Sequence, residues 1–407
     1  MIKLHKRLIR CVITCLGLGA AAGPTVYAGV LPEDRADVLY FRYDGGGVQI
    51  SGPSVLVRKS IGEHVSVQAN YYIDMVSSAS VDVETSASPY EDERKQSSLS
   101  IDFLHGKSMY SFGYVNSDES DYKAKTMFAA VSHDMFGDLT TISFSFKNGK
   151  NDVFQNVKID DVKQNDPNFN GGLGQAEMES KSYSVSLSQI ITKNMLVSGQ
   201  YEVITDEGFL RSPYRSVRFF TDPLNQGTES EIYPNTRSSN AASIRAKYFL
   251  PYRAAVDTMY RFYTDTWGVV GQTGELGYVH PLDNNKWIFE ARARYYTQTR
   301  ADFYRDIFPR AGFANFMARD KELATYDAVT LGLSATYEFK IERFPWLAKG
   351  SLNLRYDHMT VNYDDFRDAR FSIGSFGIPP PDPFDPGTEP LYKLEADIFQ
   401  FYVSAYF

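Results

Sequence analysis

Two pairs of adjacent residues in this sequence carry the side chains most used for acid–base chemistry. They are His133-Asp134 and Asp357-His358. Neighbours along a β-strand point to opposite faces, so neither pair is expected to form a catalytic dyad if these stretches are strands. The sequence also lacks G-x-S-x-G, H-E-x-x-H and P-loop motifs. These observations predict a protein that is not an enzyme. A hydrolase that brings Ser and His together from different strands stays open as an alternative.

Five aspartates near the carboxyl end could gather around a cation. Their spacing differs from that of an EF-hand, and a solvated acidic loop is the alternative to a calcium site. These residues are Asp364, Asp365, Asp368, Asp382 and Asp385. We predict no resident metal ion and no cofactor.

The elements that must position such residues are strands. From His64 onward, Val65, Val67 and Ala69 alternate with Ser66 and Gln68, which places apolar and polar residues on opposite faces. About sixteen segments follow this pattern, most of them near the 9 to 11 residues of a tilted transmembrane strand. Short turns alternate with mostly long polar connections, of which 205–238 is predicted to be irregular.

This alternation predicts an all-β protein, a closed antiparallel transmembrane β-barrel with short periplasmic turns and long external loops. An open sheet in lipid would leave its edge backbone groups unpaired, so the strands must close. A soluble propeller or double sandwich is the alternative, because one face of each of its sheets is also apolar. Candidates for aromatic girdles at the membrane interfaces are Tyr71, Tyr114, Tyr201, Tyr248, Trp287 and Tyr356.

Charged residues in the predicted strands fall opposite the lipid-facing positions. On the lipid side near the midplane, an Arg or Lys would cost about 2 to 4 kcal/mol, so the charges are expected to line the lumen. Their mixed signs favour pairing across the interior, and setting solute selectivity or holding a plug is the alternative role. The set is Asp74, Asp102, Glu202, Arg245, Lys247, Asp257, Arg261, Glu290, Arg292, Arg294, Arg355 and Asp357.

The last fifteen residues resemble the carboxy-terminal strand of bacterial outer-membrane barrels. Phe399, Phe401, Val403 and Phe407 share one face of this predicted strand, and the chain ends on the aromatic residue. Such strands usually carry an aromatic residue two places before the end, where this chain has Ala405. The resemblance implies that these residues are a signal to the barrel assembly machinery and that the protein resides in outer-membrane lipid.

The amino end has the three parts of a secretory signal peptide. Basic residues precede a short apolar run, and a small-x-small site at Val26-Tyr27-Ala28 predicts a signal peptide over 1–28 and one barrel domain over 29–407. Both cysteines lie in the removed segment, which excludes thiol catalysis and thiolate metal sites. Removing its four basic residues changes the formal charge from -8 to -12. An acidic chain without a basic run argues against nucleic acid as a partner.

The segment from Asp74 to Arg94 is similar to the hallmark of one bacterial family, the domain of unknown function 3570. It begins D-M-V-S-S-A-S-V-D-V, and two further similar stretches are S-D-E-S-D-Y from Ser117 and F-L-R-S-P-Y-R-S-V-R from Phe209. The resemblance spans nearly all the mature chain. It implies an outer-membrane barrel of Gram-negative bacteria with no assigned activity.

The resemblance also implies partners. Genes of this family lie near those for small lipoproteins, thioredoxin-like proteins and flavin transferases, which implies a conduit or a secretion and export component acting with a small lipoprotein or a periplasmic redox partner. A surface adhesin or receptor that uses the long loops is an alternative. In the loop motif, Arg211, Tyr214, Arg215 and Arg218 are candidates for constricting the lumen, with loop-to-loop packing outside as the other reading.

Overall fold

The computed structural model describes residues 29–78, 90–154, 175–213, 215–283, 285–340, 347, 349–374 and 380–407. The predicted signal peptide, 1–28, therefore lies outside the described residues. Eighteen strands run through this part of the chain: β1 (Arg35–Gly45), β2 (Val48–Ile61), β3 (Val65–Ser78), β4 (Tyr90–His105), β5 (Ser108–Asp118), β6 (Tyr122–Met135), β7 (Thr140–Phe154), β8 (Gln175–Thr192), β9 (Met195–Gly208), β10 (Ser216–Asp222), β11 (Asn225–Ser230), β12 (Thr236–Phe249), β13 (Ala255–Asp265), β14 (Val270–Leu282), β15 (Trp287–Gln298), β16 (Tyr326–Phe339), β17 (Lys349–Arg367) and β18 (Leu391–Tyr406). A 3-10 turn, Lys321–Leu323, and a short helix, α1 (Arg370–Ile373), complete the described elements.

Sixteen of these strands form one closed antiparallel barrel, which confirms the predicted fold class. Each strand pairs with its neighbours in sequence, and β9 pairs with β12 across the excluded β10–β11 hairpin. The first and last strands close the sheet through a register that includes Val38 opposite Val403. Closure gives every wall strand two partners, so no edge of backbone donors and acceptors is left to face lipid.

Apolar side chains cover the outside of the barrel. Leu99, Phe112 and Leu333 are 52%, 57% and 65% exposed, whereas Asp102, three residues after Leu99 in β4, faces inward and is buried. The six aromatic residues proposed for the girdles are also exposed on this outer face. An apolar exterior on a closed sheet is what hydrocarbon selects, because only every second strand residue meets lipid.

The two ends of the barrel differ in the length of their connections. One end has the turns 62–64, 106–107, 136–139 and 193–194 and both ends of the described chain. Because its turns are short, we call it the periplasmic end, following the prediction from the sequence. Gly106, with φ of 58°, adopts the left-handed conformation that a two-residue hairpin needs. The other end has the segments 209–235, 299–325 and 368–390, besides short turns such as 46–47. Within the described residues, no helix is long and apolar enough to span a membrane.

The described residues of these three long segments, 209–213, 215–235, 299–325, 368–374 and 380–390, fold over the external mouth, and we call them the external cap. Trp267 lies at the centre of a buried aromatic cluster, with ring centroids 5.5 Å from Tyr233 and 5.3 Å from Phe303. The same cluster continues through Tyr304 and Phe366 to inward-facing residues of β16, β17, β18 and β1. The region 205–238 is predicted to be irregular, but it contains the β10–β11 hairpin, whose two strands pair with each other. Val217 of this hairpin packs on Phe308 and Met317 of the segment 299–325.

Candidate functional site

A charged surface lies on the inner wall between β12 and β17, and we call it the charged arc. Its members alternate with outward apolar residues, as the sequence predicts. They are Arg245, Lys247, Asp257, Arg261, Glu275, Glu290, Arg292, Arg294, Arg355 and Asp357.

Cations of β12 pair with carboxylates of the next two strands in the charged arc. Arg245 reaches Asp257 on β13 at 2.9 Å and Glu275 on β14 at 2.8 Å, while Lys247 lies 3.4 Å from Asp257. The Arg245 and Lys247 side chains are still 42% and 49% exposed. These pairs therefore face water inside the barrel, where screening keeps their contribution to stability small.

Asp357 is held between two arginines in a drier part of the arc. Arg292 Nη2 and Arg355 Nε each lie 2.9 Å from its carboxylate oxygens. The carboxylate is 5% exposed, so it depends on these two donors for the hydrogen bonds that water would otherwise supply.

Two predicted cations of the arc have no such partner. Neither Arg261 nor Arg294 forms an ion pair or donates a side-chain hydrogen bond among the residues that the structure describes, and both are partly exposed to the lumen. Arg261 lies over the ring of Tyr263, with 5.6 Å between the guanidinium carbon and the ring centroid. The geometry thus divides the arc into paired charges, these two cations and Glu290, a carboxylate on β15 that also forms no ion pair or side-chain hydrogen bond among the described residues.

Elsewhere on the inner wall, Asp74 of β3 and Asp102 of β4 pair with arginines that the prediction omitted. Asp74 bonds Arg94 at 2.8 Å, and Asp102 bonds Arg58 at 2.8 Å and Ser111 at 2.6 Å. Both arginines occupy polar positions in the alternation of their strands, and this alternation could have identified them. Glu275, which the prediction also omitted, occupies a polar position in the alternation of the glycine-rich strand β14.

The inner wall from β6 to β9 is built from hydroxyl groups, and we call it the serine arc. Ser145 and Ser184 are 2.6 Å apart, and Ser143 donates to Ser132 at 3.0 Å. Glu202, predicted to line the lumen, lies on this wall and accepts a hydrogen bond from Ser182 at 2.9 Å. The arc consists of Ser132, Ser143, Ser145, Ser182, Ser184, Ser186, Ser188 and Ser198.

Arg218 connects all three segments of the cap. Its guanidinium bonds Asp306 in 299–325 and Glu389 in 368–390, with one of the contacts to Glu389 at 3.2 Å. Asp306 also binds Arg319 at 3.1 Å. Arg218 and Glu389 are fully buried. Burial alone would raise the pKa of Glu389, but the hydrogen bonds and charge of Arg218 outweigh it and hold that pKa below its ordinary value.

The other loop residues predicted to constrict the lumen also join parts of the cap. Arg211 donates to the backbone oxygen of Glu231, and Arg215 pairs with Asp320. Burial lowers the pKa of Arg211, and the nearby carboxylate of Glu231 opposes that shift. Tyr214 lies outside the described residues. These contacts join loop residues to one another, and the role of Arg211, Arg215 and Arg218 in constricting the lumen stays a prediction.

The predicted assembly residues Phe399, Phe401 and Val403 share the outer face of β18. Phe407 follows the strand, where its amide donates to Asp34 O at 3.2 Å and Lys59 Nζ lies 4.9 Å from its ring. The terminal residue is thereby tied to the base of β1 and β2. Its role as an assembly signal stays a prediction.

The histidine pairs divide between the two faces, as their spacing predicts. His133 lies outside, 2.8 Å from Ser108 Oγ, while Asp134 faces inward and accepts from Thr141. His358 also lies outside, 2.8 Å from Asp397. Ser108 and His133 supply two members of a hydrolytic triad. In the described part of the chain, no carboxylate contacts the second ring nitrogen of His133.

No three His, Cys, Asp or Glu residues gather as a metal site within the ranges given above. Of the five carboxy-terminal aspartates, Asp368 binds Arg370 at 2.6 Å, and Asp365 accepts from the Thr325 amide at 2.8 Å. These two carboxylates therefore stabilise the cap and the start of β16.

The model of the family described as "Protein of unknown function (DUF3570)" matches residues 78–358. A search of curated proteins finds no match. Among solved structures, the chain is similar to a bacterial polysaccharide outer membrane secretin, with 7% identity, 94% of this chain and 99% of that chain covered and a TM-score of 0.46. It is also similar to the outer membrane protein OpdK from Pseudomonas aeruginosa, with 8% identity, 91% of this chain and 99% of that chain covered and a TM-score of 0.41. For CdiB from Acinetobacter baumannii, identity is 10%, the shares covered are 91% of this chain and 60% of that one, and the TM-score is 0.37.

Proposed function

This chain belongs to the family described as a protein of unknown function, DUF3570, and is an outer-membrane β-barrel. Because that family name assigns no activity, we propose a function from the geometry of the barrel. The protein is a non-enzymatic conduit of the cell envelope whose external mouth is closed by the cap.

The observation that carries this proposal is the water-facing charge inside a closed sheet. Arg245 and Lys247 point inward yet are 42% and 49% exposed. A sixteen-strand barrel is wide enough to leave an aqueous interior unless loops fill it. Here the buried aromatic cluster joins the cap to inward-facing residues of β1, β16, β17 and β18, while the charged arc faces water on the inner wall. A conduit with this architecture opens when the cap moves.

Ion conductance through planar bilayers tests the proposal. We expect rare openings of the wild-type protein and sustained stepwise conductance when residues 302–322 are replaced by a short Gly/Ser linker, because that change removes Tyr304, Asp306 and Arg319 from the cap. Heat-modifiable migration in electrophoresis serves as the control for a folded barrel. A folded loop variant that never conducts would argue against a conduit.

A partner completes the proposed role. The periplasmic end has only short turns among its described connections, so a small lipoprotein or a periplasmic redox protein would dock there without obstruction. Crosslinking from a photoreactive residue at position 193, in the β8–β9 turn, tests this contact, with position 310 in the cap as the control. Capture from both positions equally would show no preference for the periplasmic end.

A further inference from the structure

The charged arc contains two cations for which the protein supplies no anion. Arg261 and Arg294 make no ion pair with any described residue, although carboxylates are abundant on the same wall. In register, Arg261 lies between Ser243 and Thr273, and Arg294 lies between Glu275 and Thr330. Glu275 is already bonded to Arg245 at 2.8 Å. The two guanidinium groups are therefore available to a ligand.

The spacing of these two residues suits a ligand with more than one acidic group. They lie on β13 and β15, two strands apart, which corresponds to roughly 10 Å across the sheet. A guanidinium presents its N–H groups as a planar fork that matches a carboxylate, and it stays charged at any physiological pH. One solute bearing separated carboxylates would contact both.

The serine arc adjoins the charged arc at the β9–β12 boundary and supplies a different chemistry. Ser182, Ser184 and Ser186 present hydroxyls at every second position of β8, and each hydroxyl can both donate and accept. Lys147, on the same wall, is exposed. A solute that touches both arcs would need hydroxyl groups as well as acidic groups.

We propose that the inner wall binds an acidic oligosaccharide, with its carboxylates at Arg261 and Arg294 and its hydroxyls along the serine arc. The inference rests on the proposed function, because it names the solute of the same lumen. Neutral oligosaccharides bind the same wall more weakly, since they leave both guanidinium groups without a charged acceptor.

Calorimetric titration of the folded, detergent-solubilised protein with trigalacturonate tests this assignment, with maltotriose as the neutral comparison. The double variant Arg261→Gln with Arg294→Gln is expected to lose about tenfold or more of the affinity for trigalacturonate, the change that follows loss of a charge-assisted hydrogen bond. Its affinity for maltotriose should stay unchanged. Lys193→Gln, in the exposed β8–β9 turn, is the matched control and should bind like the wild type.

The outcomes separate this inference from the proposed function. If the wild type binds neither sugar, binds both equally, or binds monomeric galacturonate as tightly as the trimer, the assignment is wrong even where the protein conducts ions. The same holds if the double variant keeps full affinity for trigalacturonate. Binding with the expected preference by a protein that never conducts would support the site and overturn the conduit.

Discussion

The external cap and the charged arc both contain many ion pairs, but they place them in different surroundings. In the cap, the side chains of Arg218 and Glu389 are 2% and 0% exposed. In the arc, Arg245 and Lys247 remain about half exposed. Removing one partner of a buried pair leaves an uncompensated charge and costs about 3 to 5 kcal/mol, whereas an exposed pair contributes about 0 to 1 kcal/mol.

This difference separates two uses of charge in one barrel. In the cap, the buried pair of Arg218 and Glu389 helps to hold three distant loop segments together. In the arc, the pairs of Arg245 and Lys247 face water and keep capacity to act on a solute. The comparison predicts that substitutions at the buried pairs of the cap change its opening, while substitutions at the exposed pairs of the arc change selectivity with little effect on stability.

The largest effect is expected for Arg218→Gln. Glu389 and Asp306 would then be buried without their shared cation, and the local stability of the cap should fall by about 3 to 5 kcal/mol. Hydrogen exchange measures this change at the amides of Phe220 and Phe308, which bond Phe308 O and Arg218 O at 3.0 and 2.8 Å. Arg310→Gln, an exposed change in the same cap, should leave protection intact. Unchanged protection in Arg218→Gln would show that apolar packing alone closes the mouth.

Acid should loosen the cap next most strongly. The pKa of Glu389 is held below its ordinary value, so its contribution is complete above the ordinary carboxyl pKa of about 4.3 and is lost as the pH falls through the lowered value. Tryptophan emission should shift to the red below that pH as Trp267 meets water. Glu389→Gln should show the shifted emission already at pH 7. Glu63→Gln, in a periplasmic turn, should titrate like the wild type; an identical acid transition in all three proteins would assign the change to other groups.

The barrel could be predicted from the sequence because its rule is local. Each strand repeats every two residues, so outward Leu99 and inward Asp102 follow from spacing alone, and so do the sixteen wall strands. Alternation also placed Arg261 and Arg294 on the inner face. It could not show that they lack partners, because ion pairing depends on which residues of neighbouring strands come into register.

The cap could not be predicted for the same reason. Arg218 is separated from Asp306 by 88 residues and from Glu389 by 171, and no periodic pattern relates positions in irregular loops. The polar character of these loops and of the neighbouring strand ends concealed Trp267 of the β13–β14 turn, Tyr304 of the cap and Phe366 near the end of β17, which are far apart in the sequence yet meet in one cluster. Their aromatic content was the available signal, since long solvated loops seldom need buried rings.

Within the arc, Asp357→Asn should give the clearest change in selectivity. Arg292 and Arg355 would lose their shared carboxylate, which leaves two more uncompensated cations in the lumen. In the variant with residues 302–322 replaced by a linker, the reversal potential in a salt gradient should therefore move toward anions. Unfolding should become easier by about 1 to 3 kcal/mol, because the arginine donors lose a charged acceptor in a nearly buried place. Asp397→Asn, on the outer face, is the matched control. Equal shifts in both variants would mean that the potential does not report on the lumen.

The smallest effect is expected for Lys247, and it provides the sharpest test of the comparison. Lys247 lies 3.4 Å from Asp257 and is 49% exposed, so a double-mutant cycle of Lys247→Gln with Asp257→Asn should give a coupling free energy below about 1 kcal/mol in urea unfolding. The corresponding cycle of Arg218→Gln with Glu389→Gln, read by hydrogen exchange in the cap, should give a value several times larger. If both cycles gave about 3 kcal/mol, the arc pairs would be structural like those of the cap, and the lumen would have far less charge available to a solute.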